Sequence, residues 1–260
     1  MRLFDAHNHF QDARFGGEQE DLISDCVSVG LSKMVVNGTR ESDWPAIVDL
    51  ARRHDCVLPS FGLHPWFVHE RSPNWLAKLE QQLDAWPGAV GEIGLDRRKP
   101  SLAYDGQEEV FISQLRLAAE HDLPASIHCI KTWGRLNELL CVGPLPKRGF
   151  LLHSYSGPAE MVEPLAKLGA YFSFPGAFMQ ERKTRQRDAF RQVPVDRLLI
   201  ETDAPEQVLP EDRVTHPLGQ AVNHPANIAA VYEAAIEALG HPHEDLVKRV
   251  EENFVRLFGG

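Results

Sequence analysis

The feature that most constrains this chain is an alternation: eight short apolar runs recur along it, each but the last followed by a helix-like stretch. The runs are Leu3 to His7, Lys33 to Asn37, Val57 to Leu63, Ala89 to Leu95, Ala125 to Cys129, Phe150 to Tyr155, Ala170 to Phe174 and Arg197 to Thr202. Most are rich in Val, Ile, Leu or Phe and end near Gly, Pro or Asn, the pattern of parallel strands buried on both faces. Between them, Gln107 to His121 carries Val110, Phe111, Gln114, Leu115 and Ala118 at helical spacing. A second helix is expected after Gly157-Pro158, with proline near its first turn and Gly169 as its C-terminal cap. The segment from Pro225 should form two helices split at Gly240. Eight strand-then-helix units of this length predict an α/β fold closed as a (β/α)8 TIM barrel rather than an open doubly wound sheet. No low-complexity linker interrupts the chain, so residues 1–260 read as a single barrel domain.

Composition narrows the function. With 27 Lys+Arg against 37 Asp+Glu, the formal charge is -10. That argues against an extended, sequence-blind grip on duplex DNA, which draws its affinity from many phosphate contacts; a local basic rim is still allowed. No basic leader with an apolar stretch opens the chain, and no run approaches the ~20 apolar residues that span a bilayer. Cys26, Cys56, Cys129 and Cys141 show no zinc-ribbon spacing and read as small, reduced core residues of a cytoplasmic protein.

The informative residues are polar ones where the strand pattern calls for Val or Leu. His7 and His9, His64, Glu92, His128, His153 and Asp203 lie at or next to the C-terminal ends of six of the eight runs. In a barrel those ends surround one opening, and active sites form there. His7 and His9 are two apart, so both side chains share a face of the first strand, and two imidazoles can bind one cation. Asp5 shares that face one layer deeper, and the same parity puts Glu201 below Asp203. Both are candidates to orient a ligand from behind, Asp5 by accepting an imidazole N–H, or else to serve as structural hydrogen-bonding groups. Cys129 should face the helix layer. Glu92, flanked by Gly91 and Gly94, is placed to bridge two ions ~3.5–4 Å apart, a separation suited to in-line displacement at phosphorus. Asp203 would ligate one ion and accept a proton from an attacking water. The nitrogen and oxygen donors suit Zn, Mn, Fe or Co, and Mg less naturally.

Asp5-Ala6-His7-Asn8-His9, Gly62-Leu63-His64-Pro65, Gly91-Glu92-Ile93-Gly94-Leu95-Asp96, Ile127-His128, His153-Ser154-Tyr155-Ser156-Gly157 and Glu201-Thr202-Asp203-Ala204-Pro205 run in order across nearly the whole chain. This set resembles the TatD-type metal-dependent hydrolases, the TatD-related deoxyribonucleases of the amidohydrolase-like barrels. The resemblance implies two divalent metal ions (Mg, Mn or Zn). His7, His9, Glu92 and Asp203 would hold one, and Glu92, His128 and His153 the other. It also implies that His64 contacts the scissile phosphate and that DNA is hydrolysed, typically from 3′ to 5′ at a single-stranded end. Three positions depart from the family pattern. Where the family has Arg two residues after the strand-five His, this chain reads His128-Cys129-Ile130-Lys131, which makes Lys131 the candidate substrate cation. The usual Asn-Glu-Pro is Asn223-His224-Pro225, and the family's strand-six Phe is Tyr155. A small ester, lactone, amide or phosphoester is therefore the alternative substrate, and a barrel that binds without turnover is a third reading.

Two basic clusters, Arg97-Arg98-Lys99 and Arg182-Lys183 with Arg185 and Arg187, fall in connections that should rim the opening, as do Trp66, Phe67 and Phe178. Either they hold a nucleic acid there or they are ordinary loop surface and packing. His216 and His224 are expected outside the ligand set.

Overall fold

A computed structural model describes residues 1–98, 104–219 and 222–259. Its eight strands are β1 (Leu3–Asn8), β2 (Leu31–Asn37), β3 (Val57–Phe61), β4 (Ala89–Asp96), β5 (Ala125–Ile130), β6 (Phe150–Leu152), β7 (Ala170–Pro175) and β8 (Leu198–Glu201). They form one parallel sheet in sequence order, β1 to β8. The first and last strands meet through the Asp203 N–H on the His7 carbonyl at 2.9 Å and the His9 N–H on the Ala204 carbonyl at 2.7 Å. Each expected run overlaps a strand, with bounds that differ by at most three residues, so the barrel reading holds. The run ending at Tyr155 stops as a strand at Leu152, and Ser154 beyond it has φ 46°. A left-handed residue cannot continue a strand.

The helices are α1 (Gln19–Ser28), α2 (Trp44–Arg53), α3 (Trp75–Ala85), α4 (Gln107–Glu120), α5 (Trp133–Val142), α6 (Val162–Lys167), α7 (Thr184–Phe190), α8 (Ile228–Leu239) and α9 (His243–Phe258). In α4, Val110, Phe111, Gln114, Leu115 and Ala118 are buried, as their spacing requires. The helix expected after Pro158 begins as a 3-10 turn, Ala159–Met161, before α6. Gly240 takes the left-handed cap between α8 and α9 at φ 72°. No helix among the described residues is long and apolar enough to cross a membrane. All four cysteines are free thiols, but Cys141 is exposed rather than in the core.

Two glycines set how closely β4 packs. A Cβ on Gly94 (φ 144°) would lie 2.0 Å from the His128 carbonyl oxygen of β5. A Cβ on Gly91 would lie 2.7 Å from the Ser126 Cβ and 2.8 Å from Asn37 Oδ1. These glycines are demanded by neighbouring strands, not by room for ions around Glu92.

The strands are less apolar than parallel strands buried on both faces usually are. Asn37, Ser60, Ser126 and Ser173 are each 0% exposed within β2, β3, β5 and β7. Ser60 donates to the Gly91 carbonyl at 3.2 Å, Ser126 meets a histidine and Ser173 a glutamate. The reason lies directly above them.

Candidate metal centre

Glu92 leaves β4 at the centre of the barrel mouth, and its two oxygens face different histidines. Oε2 is 3.1 Å from His9 Nε2 and 3.6 Å from His7 Nε2. Oε1 is 2.8 Å from His153 Nε2 and 2.9 Å from His128 Nδ1. Asp203 Oδ1 completes the first group at 3.6 Å from both His7 Nε2 and His9 Nε2. His64 Nε2 approaches from β3, 3.5 Å from Glu92 Oε1. The structure thus brings all six residues expected as ligands, and His64 with them, into one cluster from six strand ends. Within it His7, His153 and Asp203, and separately His7, His9 and Glu92, and His64, Glu92 and His128, have donor atoms close enough to share a cation.

Three of the rings, His7, His9 and His128, are held from behind by a hydrogen bond. His9 Nδ1 donates to the Asn37 carbonyl at 2.8 Å, and a carbonyl only accepts, so Nε2 is the His9 nitrogen that faces Glu92 and Asp203 and would give up its proton to meet a cation. His7 Nδ1 lies 2.8 Å from Ser126 Oγ, and His128 Nε2 lies 3.0 Å from Asp96 Oδ2. His153 Nδ1 faces Glu201 Oε1 at 3.8 Å, and Glu201 in turn takes the hydroxyls of Ser154 and Ser173. Glu201 therefore sits where a group orienting His153 would sit. Asp5 does not reach a ring. It accepts the Thr202 N–H at 3.0 Å, the Thr202 hydroxyl at 2.5 Å, the Asn8 amide at 3.0 Å and the His7 backbone N–H at 3.2 Å. Because β8 ends beside β1, Thr202 presents its donors to this carboxylate, and Asp5 joins the two strands.

Asp96, Ser126 and Ser173 were not singled out from the sequence. The signal was there, in a hydroxyl or acid inside an otherwise apolar run. What such a residue touches depends on the neighbouring strand.

Charges at the centre are strongly coupled. Burial opposes ionisation of Glu92, but the charges of His64 and His153 and hydrogen bonds from His128 and His153 hold it well below the usual carboxylate range. Burial pushes Asp203 up to about 7. Burial lowers His9, yet Glu92 and Asp203 outweigh it and raise the ring to about 9. Burial drives His64 down to about 4 and His7 well below its ordinary value. His7 Nε2 is buried and has no hydrogen-bond partner. An electron pair in that position, ringed by imidazoles and carboxylates, is what a cation would satisfy, and the nitrogen and oxygen donors fit a divalent transition metal.

Above the centre lies a cavity of about 950 Å³ lined by Trp66, Phe67 and Phe178 and by Arg14, Arg40, Arg98, Arg182 and Lys183. Of the expected basic clusters, Arg98, Arg182 and Lys183 line it, and Arg97, Arg185 and Arg187 do not. Lys99 lies outside the described residues. Lys131 is exposed and is not among the lining residues; with φ 59° it turns the chain away after β5, while Ile130 lines the wall. The expectation that Lys131 meets substrate is not supported by this placement. His224 caps the turn at Ala226 through its Nδ1 at 2.9 Å, and neither it nor His216 lines the cavity.

An α/β barrel whose mouth gathers these donors has the form of a metal-dependent hydrolase. The model of the family described as TatD related DNase matches residues 4–259, and the chain belongs to that family. It is 30% identical over 260 residues, covering 99% of this chain and 98% of the other, to an Escherichia coli K12 protein named uncharacterized metal-dependent hydrolase YjjV. It is 29% identical over 265 residues, 99% of each chain, to a Citrobacter koseri protein named 3′-5′ ssDNA/RNA exonuclease TatD. The crystal structure of YjjV, a TatD homologue from E. coli K12, superposes with a TM-score of 0.92 at 29% identity, covering 100% of this chain and 98% of that one. The chain is thus a metal-dependent hydrolase acting on ester bonds.

Proposed function

We propose that this protein cleaves phosphodiester bonds of DNA as a 3′-to-5′ exonuclease on single-stranded ends, with two divalent cations, Mg, Mn or Zn, at the mouth of one barrel domain spanning residues 1–260. The observation that carries this reading is the division of Glu92: one oxygen toward His7 and His9, the other toward His128 and His153. His7, His9, Glu92 and Asp203 would hold one cation, and Glu92, His128 and His153 the other. Bound there, divalent cations lower the pKa of a water and neutralise charge on phosphodiester oxygens. Asp203, whose Oδ1 lies 3.6 Å from both His7 Nε2 and His9 Nε2, is placed to take the proton that the attacking water gives up. His64 is neutral near pH 7 and turns Nε2 toward the centre, where its N–H would donate to a phosphate oxygen. Trp66 and Phe67, half-buried on the cavity wall, offer rings for bases to stack on. The name of the C. koseri relative supports nucleic acid as substrate and the 3′ end as the point of attack. Free thiols throughout suit a reducing, cytoplasmic setting.

The test is digestion of end-labelled single- and double-stranded oligonucleotides under Mg, Mn and Zn. Early loss of a 3′ label, abolished by Asp203→Asn and Glu92→Gln in folded protein, is expected. Undiminished cleavage by either variant would refute the reading. One observation favours a small ester or phosphoester instead: apolar Ile130 lines the cavity at the strand-five end, where the family pattern has arginine. A side-by-side panel of small esters and oligonucleotides separates the two.

A further inference from the structure

The five cations around the cavity are not equivalent. Arg14 is neutralised by Asp12 at 2.9 Å and Glu206 at 2.7 Å. Arg40 lies 3.4 Å from Glu70 and rests on the Phe67 ring at 3.6 Å. Arg98 lies over the Trp66 ring at 4.8 Å. Arg182 and Lys183 are consecutive, and among the described residues neither has a carboxylate within ion-pair distance. Arg182 Nε donates to Gln180 Oε1 at 3.0 Å, and the Lys183 ammonium lies 5.5 Å from the centre of the Phe178 ring. Partial burial and the neighbouring Arg182 charge both push the Lys183 ammonium down. Two adjacent like charges at a cavity wall are unfavourable without a counterion. A chain with 37 acidic residues had ample means to supply one.

Their position identifies what is missing. The pair follows β7, while His64 follows β3, four strands away around an eight-stranded barrel. Strands spaced ~4.8 Å apart and tilted ~36° make such a barrel roughly 15 Å across, so these two places lie on opposite sides of the mouth. One phosphate, a few ångströms wide, cannot reach both.

We propose that Arg182 and Lys183 form a subsite for a phosphodiester of the strand other than the one being cut, which makes the substrate an oligonucleotide rather than a phosphomonoester or small ester. This rests on the nuclease reading above and specifies its substrate. The subsite contributes affinity for the strand and not chemistry.

The experiment compares the wild-type enzyme with the double variant Arg182→Gln/Lys183→Gln. The substrates are bis(p-nitrophenyl) phosphate and a single-stranded pentanucleotide, the latter all-phosphate or with one uncharged methylphosphonate at each linkage 5′ of the scissile one in turn. The variant should turn over bis(p-nitrophenyl) phosphate as the wild type does. It should lose about tenfold in kcat/KM on the pentanucleotide, and the salt dependence of its KM should flatten by about one phosphate contact. In the wild type one methylphosphonate position should cost about the same tenfold, and in the variant that position should cost nothing more. Equal methylphosphonate losses in both proteins, or an equal loss by the variant on both substrates, would overturn the subsite. Wild-type enzyme that hydrolyses the small diester but no oligonucleotide would overturn the nuclease reading itself, and the subsite with it, before any variant is compared.

Discussion

His64 Nδ1 accepts the backbone N–H of Trp66 at 3.1 Å, so the proton of the neutral ring resides on Nε2, which lies 3.5 Å from Glu92 Oε1. A ring held in this tautomer donates at the centre and has no lone pair there to offer a cation. Replacing His64 with Ala should therefore lower kcat by about 10²-fold, as loss of a preorganised donor does, while metal content per chain stays at the wild-type value. Elemental analysis beside steady-state kinetics checks this. A variant that loses metal in proportion to activity would make His64 a ligand instead.

Asp96 Oδ2 accepts from Trp66 Nε1 at 2.8 Å and meets His128 Nε2 at 3.0 Å, so one carboxylate fixes a metal-facing ring and an aromatic of the cavity wall together. Burial opposes its charge, but His128 and the Arg98 N–H bring it down to about 2. Asp96→Asn should weaken metal binding on the His128 side by roughly 10–100-fold. Metal titration of the variant should show one tight and one weakened equivalent per chain. Two unchanged equivalents would mean Asp96 serves only the packing of the wall.

Metal affinity should rise with pH. Metal-free His9, raised to about 9, carries a proton that a cation must displace, and Asp203, pushed up by burial to about 7, carries a second at lower pH. His153, held protonated against its burial by Glu92 and Glu201, must give one up as well, so calorimetric titration in buffers of different ionisation heat should show more than two protons released near pH 6 and fewer above pH 9. The same signs govern stability. The folded pKa of His9 lies above its unfolded value of ~6.5, so its contribution is present below that pH and is lost as pH rises through 9. Burial lowers His153 too, but Glu92 and Glu201 leave it well above its ordinary value, with the same sign. Metal-free protein should melt at a lower temperature at pH 9.5 than at pH 7, and metal-loaded protein should lose less.

The packing of β4 on β5 gives a test independent of catalysis. Gly94→Ala places a Cβ 2.0 Å from the His128 carbonyl oxygen, and backbone cannot yield cheaply. The expected cost exceeds about 4 kcal/mol, read by urea denaturation. Gly134→Ala in α5 meets nothing within 4 Å and should stabilise by about 0.5–1 kcal/mol. Similar melting of the two variants would contradict this account of the barrel wall.

Much of this was legible in one dimension. Strand and helix periods are local properties, so eight strands could be placed to within a few residues, and a histidine ending an apolar run announced itself as out of place. The parity of His7 and His9 is likewise carried by the chain alone, because successive strand residues alternate faces. Asp5 was placed by the same parity with both an orienting and a structural role open, and only its partner Thr202, 197 residues away, selects the structural one. Lys131 looked well placed by counting from His128, yet a left-handed backbone at that residue puts it outside the cavity wall.

The sequence by itself determined the strand alternation, the donor types at the strand ends and the side of each strand they occupy. Only the tertiary structure decided which nitrogen of each ring faces Glu92, which cations line the cavity, and which of them lack an acidic partner. Those depend on hydrogen bonds and charges contributed by strands far apart in the chain, and no periodicity within a single segment encodes them.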